Sequence, residues 1–303
     1  MSQTPDQNKP EPVQGYVYAL AAYGIWGLVL PIFLWSLSGV HLGEVVAHRI
    51  LWALPFAAAI LAWQGGIIPL WRALTWRIAG LALLCAVVIS INWTVYVYAI
   101  ATGHGVDAAF GYYINPLVSL LFGVFLLGER LNAQQIVAIA LAACGVAVMA
   151  IEAGGLPWVS LVLAGSFALY GLLRKTTPYG AAEGFFLEIV ILFMPALAAA
   201  IWLTAAGQTQ FGIMPKETLL LVAAGPLTAI PLILYAAGAR LLRLSTIGIL
   251  QYITPSLIAL TAVFVFGEPF GVMQGIAFAF IWAGLVVYTL SLITQGRRRR
   301  ARV

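Results

Sequence analysis

Runs of about 20 mostly apolar residues recur along the whole chain, and they constrain its fold more than any other feature. A helix needs roughly that length to cross the ~30 Å hydrocarbon core of a bilayer. Ten such runs are present, at residues 17–37, 45–61, 78–101, 108–127, 133–151, 159–173, 185–203, 219–237, 245–266 and 272–293. Since 63% of the residues are hydrophobic and only 8% are charged, a soluble domain would expose large apolar patches. The sequence therefore predicts a membrane protein with ten spans.

The spans are expected to be helices, because each run is long and continuously apolar, whereas a membrane-spanning strand alternates over about ten residues. The fold class is therefore an all-α membrane protein. Residues 1–14 carry three prolines and few apolar side chains, so we expect this tail to be disordered. Residues 296–303 form a basic tail. Cys85 and Cys144 both lie within spans, where a buried thiol is the ordinary role of cysteine.

Basic residues fall in alternate loops. If both ends of the chain face the cytoplasm, thirteen of the fifteen lysines and arginines lie on that side. Lys216 lies on the other side and Arg49 lies within a span, so the distribution follows the positive-inside bias. We therefore expect both termini in the cytoplasm. The net charge of +5 is explained by residues next to anionic lipid, and it gives no reason to expect a nucleic-acid partner.

The second half of the chain repeats the first. With a shift of 139 residues, residues 113–148 match residues 252–287 at thirteen of 36 positions, against about three expected from composition. The spans therefore divide into two five-helix units, residues 15–152 and residues 153–295. Because five is odd, the two units must enter the bilayer from opposite sides. Such inverted repeats are typical of transporters that work by alternating access.

Arg49 and Glu188 are charged residues inside apolar spans, and the shift of 139 residues makes them equivalent. An arginine at the bilayer centre costs about 2.5–3.5 kcal/mol on insertion scales, so it needs a partner or water. We predict that the two residues form an ion pair, either structural or functional. In the functional hypothesis Arg49 binds an anionic group of the substrate and Glu188 accepts the coupling proton. His48 is a second candidate for the proton, although it points about 100° away from Arg49 on a helix.

Other polar and aromatic residues near the middle of spans are candidates for lining a substrate cavity. Asn92 and Tyr96 are four residues apart and share a helix face. Trp26 precedes a glycine, as Tyr170 does in the second unit. The candidates of this kind are Tyr23, Trp26, Asn92, Tyr96, Tyr113, Asn115, Tyr170, Gln251 and Tyr252. Interhelical hydrogen bonds and interfacial aromatic belts are the alternative explanation for such residues.

Two further equivalent pairs concern structure. Pro116 and Pro255 lie inside spans, where a proline removes a backbone hydrogen bond and can kink the helix. Glu129 and Glu268 each follow a glycine just before an apolar run, where a carboxylate stabilises a helix N-terminus. We predict structural roles for both glutamates.

Several segments resemble the RarD group of EamA-type proteins in the drug/metabolite transporter superfamily. The superfamily resemblance rests on GYYINP followed by LLGER in the first half, and on QYITP and FGEP in the second. HRILW together with INW narrows it to RarD. The likeness runs from about residue 15 to residue 295. It implies ten helices in inverted repeats, a bacterial inner-membrane location and export of small molecules, but it names no substrate.

The sequence thus predicts a secondary active transporter that exports small amphipathic metabolites or drugs. A facilitator or channel-like uniporter is the first alternative, because a repeat does not establish coupling, and an intramembrane enzyme is the second. The motifs typical of hydrolases, zinc proteases and phosphate-binding loops are absent, as is the cysteine and histidine spacing of a metal site. We therefore expect no catalytic residue, metal or cofactor, and we expect a small-molecule substrate, protons and the lipid bilayer as partners.

Overall fold

The computed structural model describes residues 11–101, 105–152, 154–155, 158–265 and 271–300. Within these ranges the secondary structure is helical throughout. The elements are α1 (Val13–Gly24), a π-helical segment (Ile25–Val29), α2 (Leu30–Ser36), α3 (Leu42–Trp63), α4 (Ile67–Ala73), α5 (Trp76–Ala101), α6 (Gly105–Leu127), α7 (Ala133–Glu152), α8 (Trp158–Thr176), α9 (Ala181–Ala205), α10 (Pro215–Leu241), α11 (Leu244–Leu250), α12 (Ile253–Phe264) and α13 (Val272–Arg300). The prediction of an all-α fold is confirmed.

Eight helical segments of the described chain are long and apolar enough to cross a membrane. They are Val13–Ser36, Leu42–Trp63, Trp76–Tyr96, Phe110–Leu127, Ala133–Glu152, Ala181–Ala205, Pro215–Leu241 and Val272–Ser291. The protein is therefore a multi-pass membrane protein. The other two predicted spans are less regular, since α8 carries Arg174 and Lys175 in its last turn and the ninth span is divided into α11 and α12. The full set of ten spans stays a prediction.

The chain ends differ from the predicted tails. Disorder is predicted through residue 14, but α1 begins at Val13. The carboxylate of Glu11 accepts hydrogen bonds from the backbone N–H of Arg243 at 2.5 Å and from the hydroxyl of Tyr16 at 2.7 Å, which ties the start of α1 to the connection between α10 and α11. At the other end α13 continues as helix to Arg300. Residues 1–10 and 301–303 lie outside the described part of the chain, as does Glu268.

The two equivalent prolines sit in different local structures. Pro116 lies inside the continuous helix α6. Pro255 instead lies in the first turn of α12, where its missing N–H costs no helical hydrogen bond. The chain turns at Gln251 and Tyr252, between α11 and α12. Similar sequences in the two halves therefore hold two different backbone conformations.

Helices α7 and α13 pack closely through small residues. A Cβ atom on Gly145 would lie 2.8 Å from the carbonyl oxygen of Ala277, and one on Gly284 would lie 2.7 Å from that of Ala138. The shift of 139 residues makes the two glycines equivalent, and likewise the two alanines, so the contact is reciprocal. The residue later in α7, Gly145, contacts the residue earlier in α13, Ala277, and the reverse holds for Ala138 and Gly284, so the two helices run antiparallel. Small residues allow this close approach, and packing of this kind stabilises helix association in membranes.

Polar contacts gather at the two ends of the helix bundle. At the end where α1 begins, called the N-terminal face, the carboxylate of Glu129 accepts hydrogen bonds from the backbone N–H groups of Leu244 and Ser245 at 2.6 and 2.9 Å. Glu129 therefore stabilises the N-terminus of α11 rather than of the helix that follows it in sequence. At the other end, called the opposite face, the carboxylate of Glu44 accepts backbone hydrogen bonds from Gln210 and Phe211 at 3.0 and 2.9 Å.

Candidate substrate cavity

A cavity of about 180 Å³ lies between helices of both halves of the chain. The residues that line it are Trp26, Leu30, Pro31, Leu34, Arg49, Asn92, Trp93, Tyr96, Tyr112, Phe167, Leu232, Gln251, Thr254 and Ile258. Two equivalent pairs are among them, Trp93 with Leu232 and Tyr112 with Gln251. Because Leu34 lies two residues before the end of α2, the cavity extends toward the opposite face. Both halves thus contribute to one site.

Arg49 on α3 is the charged residue of this lining. Its Nε donates a hydrogen bond at 3.0 Å to the hydroxyl of Thr228 on α10, which itself donates to the carbonyl of Ala224 at 2.8 Å. The guanidinium carbon lies 5.4 Å from the ring centroid of Trp93, within the range of a cation–π interaction. Among the described residues the terminal amino groups of Arg49 have no hydrogen-bond partner. The charge is therefore held in place but not neutralised.

Two amides contribute polar groups to the cavity wall. The Nδ2 of Asn92 donates at 3.0 Å both to the carbonyl of Leu163 and to the hydroxyl of Ser166, which fixes the side chain against α8. Gln251 lies where α11 ends, and only 4% of it is exposed. Its Oε1 has no hydrogen-bond partner among the described residues. Because a buried polar atom without a partner is costly, Gln251 is suited to bind a polar group of a ligand.

An aromatic layer closes the cavity toward the N-terminal face. Trp26 packs edge-on against Phe167 with ring centroids 5.6 Å apart, and Phe167 packs against Tyr235 at 5.2 Å. Tyr235 in turn stacks on Tyr170 at 6.5 Å. Tyr23, Tyr170 and Tyr235 are fully buried.

An ion pair lies behind the aromatic layer, and its partners are not the predicted ones. The Nη1 of Arg174 lies 3.1 Å from the Oε1 of Glu188, and the hydroxyl of Tyr170 donates to the other oxygen of Glu188 at 2.9 Å. The predicted pair between Arg49 and Glu188 is therefore wrong for this structure. The count of basic residues by loop predicts that Arg174 lies in a cytoplasmic loop, but it lies in the last turn of α8 and only 1% of its side chain is exposed.

Close backbone approach makes room for Arg174. A Cβ atom on Gly184 would lie 1.7 Å from its Nη1, so any other residue would displace the guanidinium. The Nη2 donates to the carbonyl of Ala181 at 2.6 Å, and the guanidinium carbon lies 5.8 Å from the ring centroid of Tyr179. These contacts bind Arg174 to the start of α9 as well as to Glu188. The pair therefore joins α8 to α9 near the N-terminal face.

Five of the twelve predicted site residues line the cavity. They are Trp26, Arg49, Asn92, Tyr96 and Gln251. Glu188 and Tyr170 belong to the ion-pair cluster. The ring of His48 stacks on that of Phe211, with centroids 4.3 Å apart, near the opposite face.

The remaining four predicted residues pack between helices. The hydroxyl of Tyr23 donates to the carbonyl of Ile247 at 2.9 Å, and the Nδ2 of Asn115 donates to that of Ala164 at 2.8 Å. Tyr113 packs edge-on against Phe278, and Tyr252 is 1% exposed. Interhelical contacts, the alternative explanation for such residues, account for the placement of these four.

Sequence reasoning did not commit to several residues that build the site. Tyr112 and Trp93 were detectable, because they adjoin the predicted residues Tyr113 and Asn92. Thr228 was detectable only as a hydroxyl within an apolar run, since nothing in the sequence links it to Arg49. Phe167 carried no signal, because a phenylalanine in a membrane span is ordinary.

Comparison with known proteins defines the family. Residues 13–151 match the EamA-like transporter family. The chain is 42% identical over 293 residues to a protein named RarD from Streptomyces exfoliatus, which covers 95% of this chain and 92% of that protein. An uncharacterized transporter from Vibrio cholerae is 38% identical to this chain, and the alignment covers 100% of both proteins. The chain belongs to the EamA-like transporter family.

Within that family the chain is of the RarD type. A RarD protein from Escherichia coli strain K12 is 38% identical to this chain, and the alignment covers 94% of this chain and 97% of that protein. A solved crystal structure superposes with a TM-score of 0.70 at 20% identity, over 93% of this chain and 98% of that one, and it supports the fold alone. The family resemblance predicted from the sequence is confirmed. The protein is a multi-pass membrane transporter.

Proposed function

We propose that this EamA-family protein is a secondary carrier that moves small amphipathic metabolites by alternating access, and that the cavity around Arg49 is its substrate site. The observation that supports the proposal most strongly is the reciprocal packing of Gly145 on Ala277 and of Gly284 on Ala138. Reciprocal contacts between equivalent residues are expected around a two-fold axis. Since α7 and α13 run antiparallel, that axis is perpendicular to them, as in an inverted repeat.

Other helix pairings support the same symmetry. The shift of 139 residues makes α6 equivalent to α11 and α12, and it makes α8 equivalent to the first span. The contact between α6 and α8 therefore predicts a contact between α12 and the first span, and the structure contains both. The contact of α3 with α10 likewise becomes that of α5 with α9, which is also present. Two units related in this way can exchange conformations, and the exchange opens a central site to one side and then to the other.

The differences between the halves are those that alternating access requires. In one half the span containing Pro116 is continuous, and in the other the span containing Pro255 is broken. Arg49 lines the cavity, whereas its equivalent Glu188 is sealed in an ion pair. In the exchanged state Glu188 would line a cavity toward the N-terminal face. The pair with Arg174 must break for that state to form.

Glu188 is the proposed site of proton coupling. A carboxylate paired with Arg174 holds α8 to α9, and protonation removes the charge that Arg174 attracts. Protonation of Glu188 would therefore favour opening of the N-terminal face. From the distribution of basic residues we infer that the N-terminal face is the cytoplasmic side of a bacterial inner membrane. The direction of transport that we propose is export. A proton gradient should then accelerate transport by the wild type and have no effect on Glu188→Gln.

Counterflow tests the carrier mechanism. Comparison of the medium of cells with and without the protein identifies metabolites whose export depends on it. Proteoliposomes are then loaded with one such metabolite and diluted into a trace of its labelled form. A carrier should accumulate label transiently above the outside concentration, because exchange continues while the unlabelled pool remains. A facilitating channel, the alternative function, should only equilibrate the label.

A further inference from the structure

We propose that the cargo of this cavity is a small organic anion with one carboxylate and a flat apolar body, and that the carboxylate binds Arg49. This inference rests on the proposed function, because it names the substrate class of the same site. Glu188 pairs with Arg174, and Arg49 has no carboxylate partner among the described residues. An uncompensated cation in a low-dielectric cavity attracts an anion strongly.

The geometry of Arg49 suits a carboxylate in particular. Thr228 holds the guanidinium by its Nε, and Ala224 fixes the hydroxyl of Thr228. The two terminal amino groups remain available to a ligand. A guanidinium presents parallel N–H groups that match the two oxygens of a carboxylate, and such bidentate contacts are among the strongest hydrogen bonds in proteins.

The rest of the lining defines the body of the ligand. Arg49 is the only charged residue among the residues that line the cavity. It can therefore neutralise one negative charge on the ligand, and a second negative charge would have no partner. Five aromatic side chains form much of the wall, namely Trp26, Trp93, Tyr96, Tyr112 and Phe167. Aromatic walls favour a flat apolar group that can pack against their faces or edges. The Gln251 amide offers a hydrogen bond at a second point.

The size of the cavity excludes large cargo in this state. Pockets for drug-sized ligands enclose roughly 300–1,000 Å³, whereas this cavity encloses about 180 Å³. The site therefore fits a metabolite the size of a single aromatic acid. Benzoate is a suitable probe, because benzamide has nearly the same shape without the charge and benzylamine carries the opposite charge.

The test is calorimetric titration of the purified protein in lipid nanodiscs at neutral pH. Benzoate should bind the wild type, and benzamide and benzylamine should bind at least tenfold more weakly. Arg49→Gln should weaken benzoate binding at least tenfold. Thr228→Val should weaken it several-fold while keeping the preference for benzoate over benzamide, because the charge remains and only its positioning is lost. If Arg49→Gln does not fold, the wild-type probe series and Thr228→Val decide the question.

Arg77→Gln is the matched control. The exposed guanidinium of Arg77 lies 5.5 Å from the ring centroid of Trp76, which reproduces the aromatic contact of Arg49 outside the cavity. This variant should bind benzoate as the wild type does. Equal binding of benzamide and benzoate, or equal losses in the two arginine variants, would overturn the inference. Counterflow of a neutral or cationic metabolite that competes for this site would also overturn the inference of an anionic cargo, but it would still support the carrier mechanism. Benzoate binding without counterflow would instead overturn only the carrier mechanism.

Discussion

Arg174 and Glu188 form a salt bridge of 3.1 Å in which both side chains are almost fully buried. The residue equivalent to Glu188 in the first half is Arg49, which lines the cavity and has no carboxylate partner among the described residues. Equivalent positions thus hold opposite charges in opposite surroundings. Glu188 therefore holds α8 to α9 through Arg174, whereas Arg49 faces the cavity.

A double-mutant cycle should detect the Arg174–Glu188 pair. Loss of one partner of a buried pair leaves an uncompensated charge, so we expect Arg174→Ala and Glu188→Ala each to lower the unfolding free energy by about 3–5 kcal/mol. The double variant should lose less than the sum of the two, with an interaction energy above about 0.5 kcal/mol. Titration with sodium dodecyl sulfate in mixed micelles measures these energies.

The same cycle with Arg49→Ala and Glu188→Ala serves as the control. Since these two residues do not pair in the structure, their effects should add within about 0.5 kcal/mol. Strong coupling between Arg49 and Glu188, together with additivity between Arg174 and Glu188, would restore the pairing predicted from the sequence and contradict the structure.

Gly184→Ala should reproduce the loss of Arg174 without removing a charge. The added Cβ would lie 1.7 Å from the Nη1 of Arg174, so the guanidinium must move away from Glu188. We expect a loss of stability comparable to that of Arg174→Ala, and a combination of the two changes should lose little more than either alone. Gly165→Ala on α8 is the control, because no atom lies within 4 Å of its Cβ position. A Gly184→Ala variant as stable as Gly165→Ala would show that Arg174 does not depend on this space.

The sequence predicted the apolar spans and several cavity residues because those features are local. A long apolar run identifies a membrane helix, and the face shared by Asn92 and Tyr96 follows from helical periodicity. The partner of Glu188 was not predictable in this way. Both Arg49 and Arg174 have side chains long enough to reach a carboxylate on a neighbouring helix, and the choice depends on tertiary packing. The count of basic residues predicts that Arg174 lies in a cytoplasmic loop, whereas the space beside Gly184 lets its side chain point into the protein.

The reciprocal glycine contacts predict matched effects in the two halves. Gly145→Ala should force α7 away from α13 at Ala277, and Gly284→Ala should do so at Ala138. Overpacking of this kind typically costs about 1–3 kcal/mol, and the equivalent positions should lose similar amounts. Gly80→Ala on α5, where the Cβ position is open, should be neutral or slightly stabilising. Detergent unfolding curves of the three variants provide the measurement, and a large loss at one glycine only would contradict a symmetric contact.

Thiol labelling should fix the orientation in the membrane. Arg240 donates a hydrogen bond to the carbonyl of Thr177 at the N-terminal face, and the count of basic residues predicts that this face is cytoplasmic. Gln208 and Thr75 are both exposed and lie in connections at opposite ends of the bundle. In a background with Cys144→Ala, which removes the exposed native thiol, Gln208→Cys should react with a membrane-impermeant maleimide on intact cells, and Thr75→Cys should react only after permeabilisation. The reverse pattern would mean that the cavity extends toward the cytoplasm in this state. Proton-driven opening at Glu188 would then act on the outer side, and the proposed direction of transport would have to be reversed.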